Sequence, residues 1–236
     1  MRMKKGMLVV FLGPVGVGKT TIIKSLADLF IKKDRRVHIG FLKAFHGMAY
    51  ILYVLIVKML KLKSRGRYAP WFILARTGRV ATLKVLLMLS MYLDAFFSIP
   101  VKLVYLRLLR NLGYIVFVEE YLYTTIFDYL NMAKRTLNMR SYPKLPFMVM
   151  LTLLEKYKPD KVVVLTTCFK DLLVRWSMRG YGDPQPLYVR LLNNYCLNLV
   201  RHPEKIVIDT CGLDVNKTIA LTYKLVFSQK QTANEV

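Results

Sequence analysis

The sequence predicts an α/β protein with a five-stranded parallel sheet flanked by helices. Three observations predict it. Five runs of strand length, at 7–12, 36–42, 114–118, 161–165 and 205–209, alternate with segments of helical spacing. The runs read as strands buried on both sides, the pattern of a parallel sheet covered by helices on each face. A glycine-rich loop joins the first run directly to the first helical segment, which is a strand–loop–helix arrangement.

Each element follows from its residues. Met7-Leu8-Val9-Val10-Phe11-Leu12 is continuously apolar, as a central strand is. Residues 20–32 place Ile22, Ile23, Leu26, Leu29 and Phe30 on one helical face. Residues 36–42 give a second short strand. Residues 45–112 read as helices, with breaks at Lys63-Ser64-Arg65-Gly66-Arg67, at Ala69-Pro70 and at Arg76-Thr77-Gly78-Arg79. Asn111-Leu112-Gly113 carries the glycine signal that ends a helix. The third strand runs into Glu119-Glu120. Helical patterns then extend to about Lys156, with a break near Tyr142-Pro143. After the fourth strand come a helix at 169–178, a loop at 179–184 and a helix at 187–200. The fifth strand precedes a last helix at 215–227, and 228–236 reads as a frayed tail. No linker composition appears. Residues 1–236 are therefore expected to form a single domain with a helical insertion at 43–112 and a short lid at 179–187.

Composition excludes several classes. Hydrophobic residues make up 55% of the 236, too many for a disordered or collagen-like chain. The three cysteines look too few and too scattered for a disulfide framework or a zinc site, which favours a reducing, cytoplasmic setting. His38, His46 and His202 lack metal-ligand spacing. Net charge is +23, so the partner is expected to be anionic. Residues 35–93 hold eleven Lys and Arg and no Asp or Glu. That region leaves an anionic membrane surface or a nucleic acid open as a partner, beside a plain basic face on a substrate cleft. The longest apolar run, at 47–57, is too short to cross a bilayer. A second greasy stretch, at 85–109, is interrupted by Asp94, Pro100, Lys102 and Arg107, so no transmembrane helix is expected. A homodimer also stays open.

One motif carries chemistry. Gly13-Pro14-Val15-Gly16-Val17-Gly18-Lys19-Thr20 matches G-x-x-x-x-G-K-[ST] between a buried strand and an amphipathic helix. The glycines let backbone N–H groups wrap a phosphate, and the helix N-terminus adds positive potential. Lys19 is placed to reach β- and γ-phosphates, and Thr20 to put its hydroxyl on Mg²⁺.

Beyond this loop, three stretches resemble the nucleoside-monophosphate kinases, and the thymidylate kinase family in particular. They are 11–21, 108–121, and 159–165 together with 172–180. The resemblance implies a P-loop NTPase sheet with a helical acceptor and lid region. It also implies transfer of the ATP γ-phosphate to a nucleoside monophosphate, with thymidylate as the best single expectation. It implies that ATP is cradled by Gly13, Val15, Gly16, Val17, Gly18, Lys19, Thr20 and Thr21. Arg175 and Arg179 would lie by the transferring phosphate with Lys19, Glu119 would help Thr20 hold Mg²⁺, and Cys211 would lie in the loop that touches adenine. Three positions depart from the family. Val15 replaces an acidic residue, Glu119-Glu120 replaces an Asp-Arg pair, and Asp94-Ala95-Phe96-Phe97 stands where another acceptor-binding Arg is expected. Two alternatives follow from the departures: a kinase for a lipid-linked or sugar phosphate, or a non-catalytic, nucleotide-dependent nucleic-acid-binding protein.

Overall fold

A computed structural model describes residues 6–62, 69–178 and 185–227. The strands are β1 Met7–Leu12, β2 Val37–Phe41, β3 Ile115–Glu119, β4 Lys161–Thr166 and β5 Lys205–Asp209. All pair in parallel, in the order β2-β3-β1-β4-β5. This order puts β1, and the glycine loop that leaves it, at the centre of the sheet. The helices are α1 Lys19–Ile31, α2 Met48–Met59, α3 Pro70–Arg76, α4 Val80–Leu93, α5 Ile99–Asn111, α6 Leu122–Asn131, α7 Lys144–Lys156, α8 Phe169–Ser177, α9 Pro186–Asn194 and α10 Val215–Phe227.

The expected run of five buried strands is corrected at the margins. β1, β3 and β4 are buried almost throughout, but β2 and β5 are the two sheet edges and are half-exposed. An edge strand is flanked on one side only, so its lateral face stays wet.

The chain divides into two compact units. The first comprises Met1–Phe41, Leu106–Thr124 and Pro159–Val236 and contains the sheet. Its core packs Val9 and Phe11 of β1 and Phe117 of β3 against Ile22, Leu26 and Phe30 of α1 and Val226 of α10. Rings of Phe30 and Phe227 meet edge-on with centroids 4.6 Å apart.

The second unit comprises Leu42–Tyr105 and Thr125–Lys158 and is helical. Leu74, Leu83, Leu87, Met91 and Met150 are buried in it. It also buries an acid, Asp94, whose Oδ2 accepts from the Tyr129 hydroxyl at 2.7 Å and from the Phe45 N–H at 3.2 Å. Burial pushes this carboxyl up to about 6, against the opposing effect of those two hydrogen bonds. The rings of Phe45, Tyr53, Trp71 and Tyr129 pack beside it.

The greasy stretch that the sequence divides at Asp94 and Pro100 is one continuous helix, Val80–Asn111. A π-helical turn, Asp94–Ser98, joins α4 to α5. There the Ile99 N–H bonds the Asp94 carbonyl five residues back, and this shift in pairing accommodates the missing N–H of Pro100. By length and composition this helix suffices to cross a membrane, with a mean hydropathy of 1.7 over an 18-residue window. Leu83, Leu87, Met91 and Asp94 are buried on one face, while Val85, Leu89, Tyr92 and Phe96 are exposed.

Candidate phosphate-binding site

The loop at 13–18 is built on left-handed backbone. Gly13 has φ 137°, Gly16 φ 91° and Gly18 φ 104°. A Cβ on Gly13 would overlap the Leu165 carbonyl oxygen of the neighbouring strand, and one on Gly16 would come within 2.7 Å of the Trp176 ring. These glycines keep the backbone close to its neighbours as well as bent. Gly13→Ala is expected to cost about 1–3 kcal/mol from backbone strain alone, read as a lowered melting temperature. Gly18 is the N-cap of α1, and no side chain among the described residues caps that helix. The N–H groups of its first turn therefore remain directed toward the loop.

Lys19 lies on the first turn of α1 and is 3% exposed. Its ammonium donates to the carbonyls of Gly13 at 2.7 Å and Pro14 at 3.0 Å. It also pairs with Glu120 Oε1 at 3.0 Å. An ammonium has three donors, so these partners use all of them. Thr20, beside it, donates its hydroxyl to Glu119 Oε2 at 2.7 Å. The sheet explains this meeting. β1 and β3 are paired in register, with Phe11 opposite Glu119, so the loop leaves β1 where the two acids leave β3. Glu120 is buried and has φ 63°. That region is uncommon for a non-glycine residue, and from it the carboxylate meets Lys19. The resemblance places Glu119 at the metal and assigns Glu120 no role. The structure pairs Glu120 with the loop lysine.

Arg175 reaches the same loop from α8. Its Nη1 donates to the Val17 carbonyl at 3.1 Å and to Thr210 Oγ1 at 3.3 Å, and its Nη2 to the Thr210 carbonyl at 3.3 Å. Asp171 lies 3.8 Å away. The guanidinium thus braces the loop against the turn after β5. Trp176 donates its Nε1–H to the Val15 carbonyl at 2.7 Å. Val15 and Val17, expected in the cradle, are both tied to α8 through their carbonyls. Thr21 is exposed on α1. Arg179 and 179–184 of the expected lid lie outside the described residues.

The cysteines require a correction. Cys168 and Cys211 form a disulfide, with Cα atoms 5.2 Å apart. Cys211, expected only as a nucleotide contact, is half of a covalent link. The two cysteines lie 43 residues apart in sequence but at the same level past two paired strands. Cys196 is buried and takes no part in this disulfide.

By sequence, no protein family and no curated protein matches this chain. By structure, it is similar to a thymidylate kinase from Candida albicans, with a TM-score of 0.59 and 15% identity, over 96% of this chain and 93% of that one. It is similar to a deoxyadenosine kinase from M. mycoides with bound dATP, with a TM-score of 0.56 and 19% identity, over 92% and 98%. The structure of that kinase with bound dCTP gives 0.51 and 18%, over 93% and 98%. The chain therefore has the fold of these P-loop kinases, a five-stranded parallel sheet flanked by helices, with its glycine loop leaving the central strand.

Proposed function

We propose that this chain is a phosphotransferase that uses ATP and Mg²⁺ to phosphorylate a nucleoside monophosphate. One observation carries the reading: the buried Lys19 sits inside the glycine loop, next to an acidic pair at the end of β3. Loop amides and the first turn of α1 bind the donor phosphates, while Lys19 holds their outer oxygens. A phosphate oxygen takes a position on the ammonium now filled by Gly13 O, Pro14 O or Glu120, so donor binding and release of one such partner are linked. The donor set also fits the metal. A hydroxyl and a carboxylate in contact, Thr20 and Glu119, are hard oxygen ligands of the kind Mg²⁺ takes. When bound there, Mg²⁺ neutralises charge on the phosphate oxygens. Arg175 holds the Val17 carbonyl and keeps the loop in shape, and Trp176 does the same at Val15. Catalysis by these residues is positioning and electrostatics.

Glu120 favours a second reading of the acceptor. A carboxylate at the end of β3 repels an incoming phosphate, but it can accept the proton of an attacking hydroxyl. A nucleoside 5′-hydroxyl is then the acceptor. ADP release from ATP and Mg²⁺, measured with panels of nucleosides and of monophosphates and with Lys19→Ala as the blank, tests both. Turnover with monophosphates supports the first reading. Turnover with nucleosides alone supports the second. No turnover with either panel overturns the kinase assignment.

A further inference from the structure

We infer that the Cys168–Cys211 disulfide is a reversible thiol site that braces the donor half of the phosphate loop, so that reducing it weakens donor binding. The inference rests on the proposed function for the identity of the donor, and on geometry for the coupling.

The bridge joins the turn after β4 to the turn after β5. Beyond it lies a short chain of contacts to the phosphate loop. Thr210 is buried, and its N–H and hydroxyl bond the Thr166 carbonyl at 2.8 and 3.0 Å. Both its hydroxyl and its carbonyl accept from Arg175, and Arg175 donates to Val17. Past Thr210 the turn is exposed. The Gly212 N–H donates to Asp171 Oδ2 at 3.0 Å, and the Cys211 N–H to its own turn at Asp209 Oδ1. The disulfide is the covalent fastening of this exposed stretch to α8, the helix that carries Asp171, Arg175 and Trp176. Without it, the grip of the turn on α8 at Gly212 is an exposed hydrogen bond, which water competes for. Arg175 then has one less rigid wall from which to hold Val17.

The position also suits exchange. Cys211 is exposed, so an incoming thiolate has access to its sulfur. Cys168 is the N-cap of α8, and the helix N-terminus favours negative charge on the departing sulfur. The Asp171 carboxylate, which lies within 4.8 Å of both sulfurs, opposes that charge, and Arg175 lies 3.8 Å from Asp171 and offsets it. The step balances with a small dithiol as reductant. Its first thiolate bonds Cys211 Sγ and releases Cys168 as thiolate, which takes up a proton. Its second thiol attacks the mixed disulfide, closes the reductant to a cyclic disulfide and releases Cys211. Two electrons and two protons pass to the protein, and a disulfide oxidant reverses the exchange.

The test compares the full-length chain oxidised, reduced with dithiothreitol, and reoxidised, alongside a Cys168→Ser, Cys211→Ser double variant. Calorimetry with ATP and Mg²⁺ reads affinity, thiol labelling with mass spectrometry reads the bridge, and amide exchange reads the backbone at 209–213 and at 13–18. Reduction is expected to weaken ATP binding about 10-fold, on the scale of re-ordering a loop residue on each binding event. It should speed exchange in both segments, and reoxidation should restore both readings. The double variant should match the reduced protein and ignore the dithiol. Faster exchange at 209–213 with no change at 13–18 or in ATP affinity makes the bridge a local staple and overturns the inference, leaving the kinase reading intact. A response to dithiol that persists in the double variant also overturns it. Failure to bind ATP in either redox state overturns both.

Discussion

Under the proposed function, Lys19→Ala is expected to lower phosphoryl transfer by about 10²–10³-fold, the cost of removing one preorganised charge from a developing anion. It also destabilises the protein, for a separate reason. Lys19 and Glu120 are a buried pair, with side chains 3% and 4% exposed. Removing the cation breaks a buried ion pair, at a cost of about 3–5 kcal/mol. A fall in activity after this single change therefore mixes chemistry with unfolding. The double variant Lys19→Met, Glu120→Gln, set beside Glu120→Gln alone, separates them. It removes both charges and keeps an amide that can bond the nearby backbone, so its melting temperature returns most of the way to that of the parent. Its activity stays lost. If activity returned along with stability, Lys19 would be a structural lysine and the phosphate-binding reading would fail.

The partner change, Glu120→Gln alone, reports on the acceptor. Lys19 keeps the Gly13 and Pro14 carbonyls, so ATP affinity is expected to hold or to rise once the competing carboxylate is gone. Under the hydroxyl-acceptor reading kcat falls about 10²-fold or more, because the proton acceptor is lost. Under the monophosphate reading, KM for the acceptor falls instead, because a repelling charge has been removed. Steady-state kinetics with both substrates varied tells the two apart.

Much of this site was legible from local signals. The loop motif and the apolar runs around it depend on residues adjacent in sequence, and β1, β3 and β4 fall where their uniform hydrophobicity places them. β2 and β5 also fall where their runs place them, but their half-exposure does not show in those runs, because it follows from the sheet order that makes them edges, and that order is a long-range property. A cysteine count does not show the disulfide, because strand register makes it. Thr166 and Asp209 are paired across β4 and β5, and Cys168 and Cys211 each lie two residues further on. Once those strands are taken as parallel neighbours, equal offsets bring the two sulfurs together. Glu120 shows a different kind of limit. Two successive acids beside a phosphate site look like repulsion in sequence. Their resolution depends on a left-handed residue that sends one carboxylate to Lys19 and leaves the other at Thr20. No spacing rule anticipates a non-glycine residue at positive φ.

Stability should fall as pH rises from about 4 to about 6, with Asp94 as the cause. Its carboxyl titrates at about 6 in the folded protein against 3.8 as the ordinary value, because it is buried in the helical unit. The native state therefore holds this proton more tightly than the unfolded chain. The resulting stabilisation is complete below the unfolded value and is lost as pH passes through the folded one. A gap of about two pH units corresponds to about 3 kcal/mol. Asp94→Asn removes the titration and keeps an oxygen to accept from the Tyr129 hydroxyl and the Phe45 N–H. Relative to the parent, the variant should gain up to about that amount at pH 7.5 and gain nothing, or lose a little, at pH 4. Urea unfolding of both proteins at the two pH values gives the difference directly, with every other titrating group common to both. Tyr129→Phe should act in the opposite direction. It removes the donor that favours the carboxylate, so the Asp94 titration moves higher and the loss of stability extends further toward neutral pH. A variant-minus-parent difference that is the same at pH 4 and pH 7.5 would mean that Asp94 does not change charge on folding, and the buried acid would then have to be reached by water.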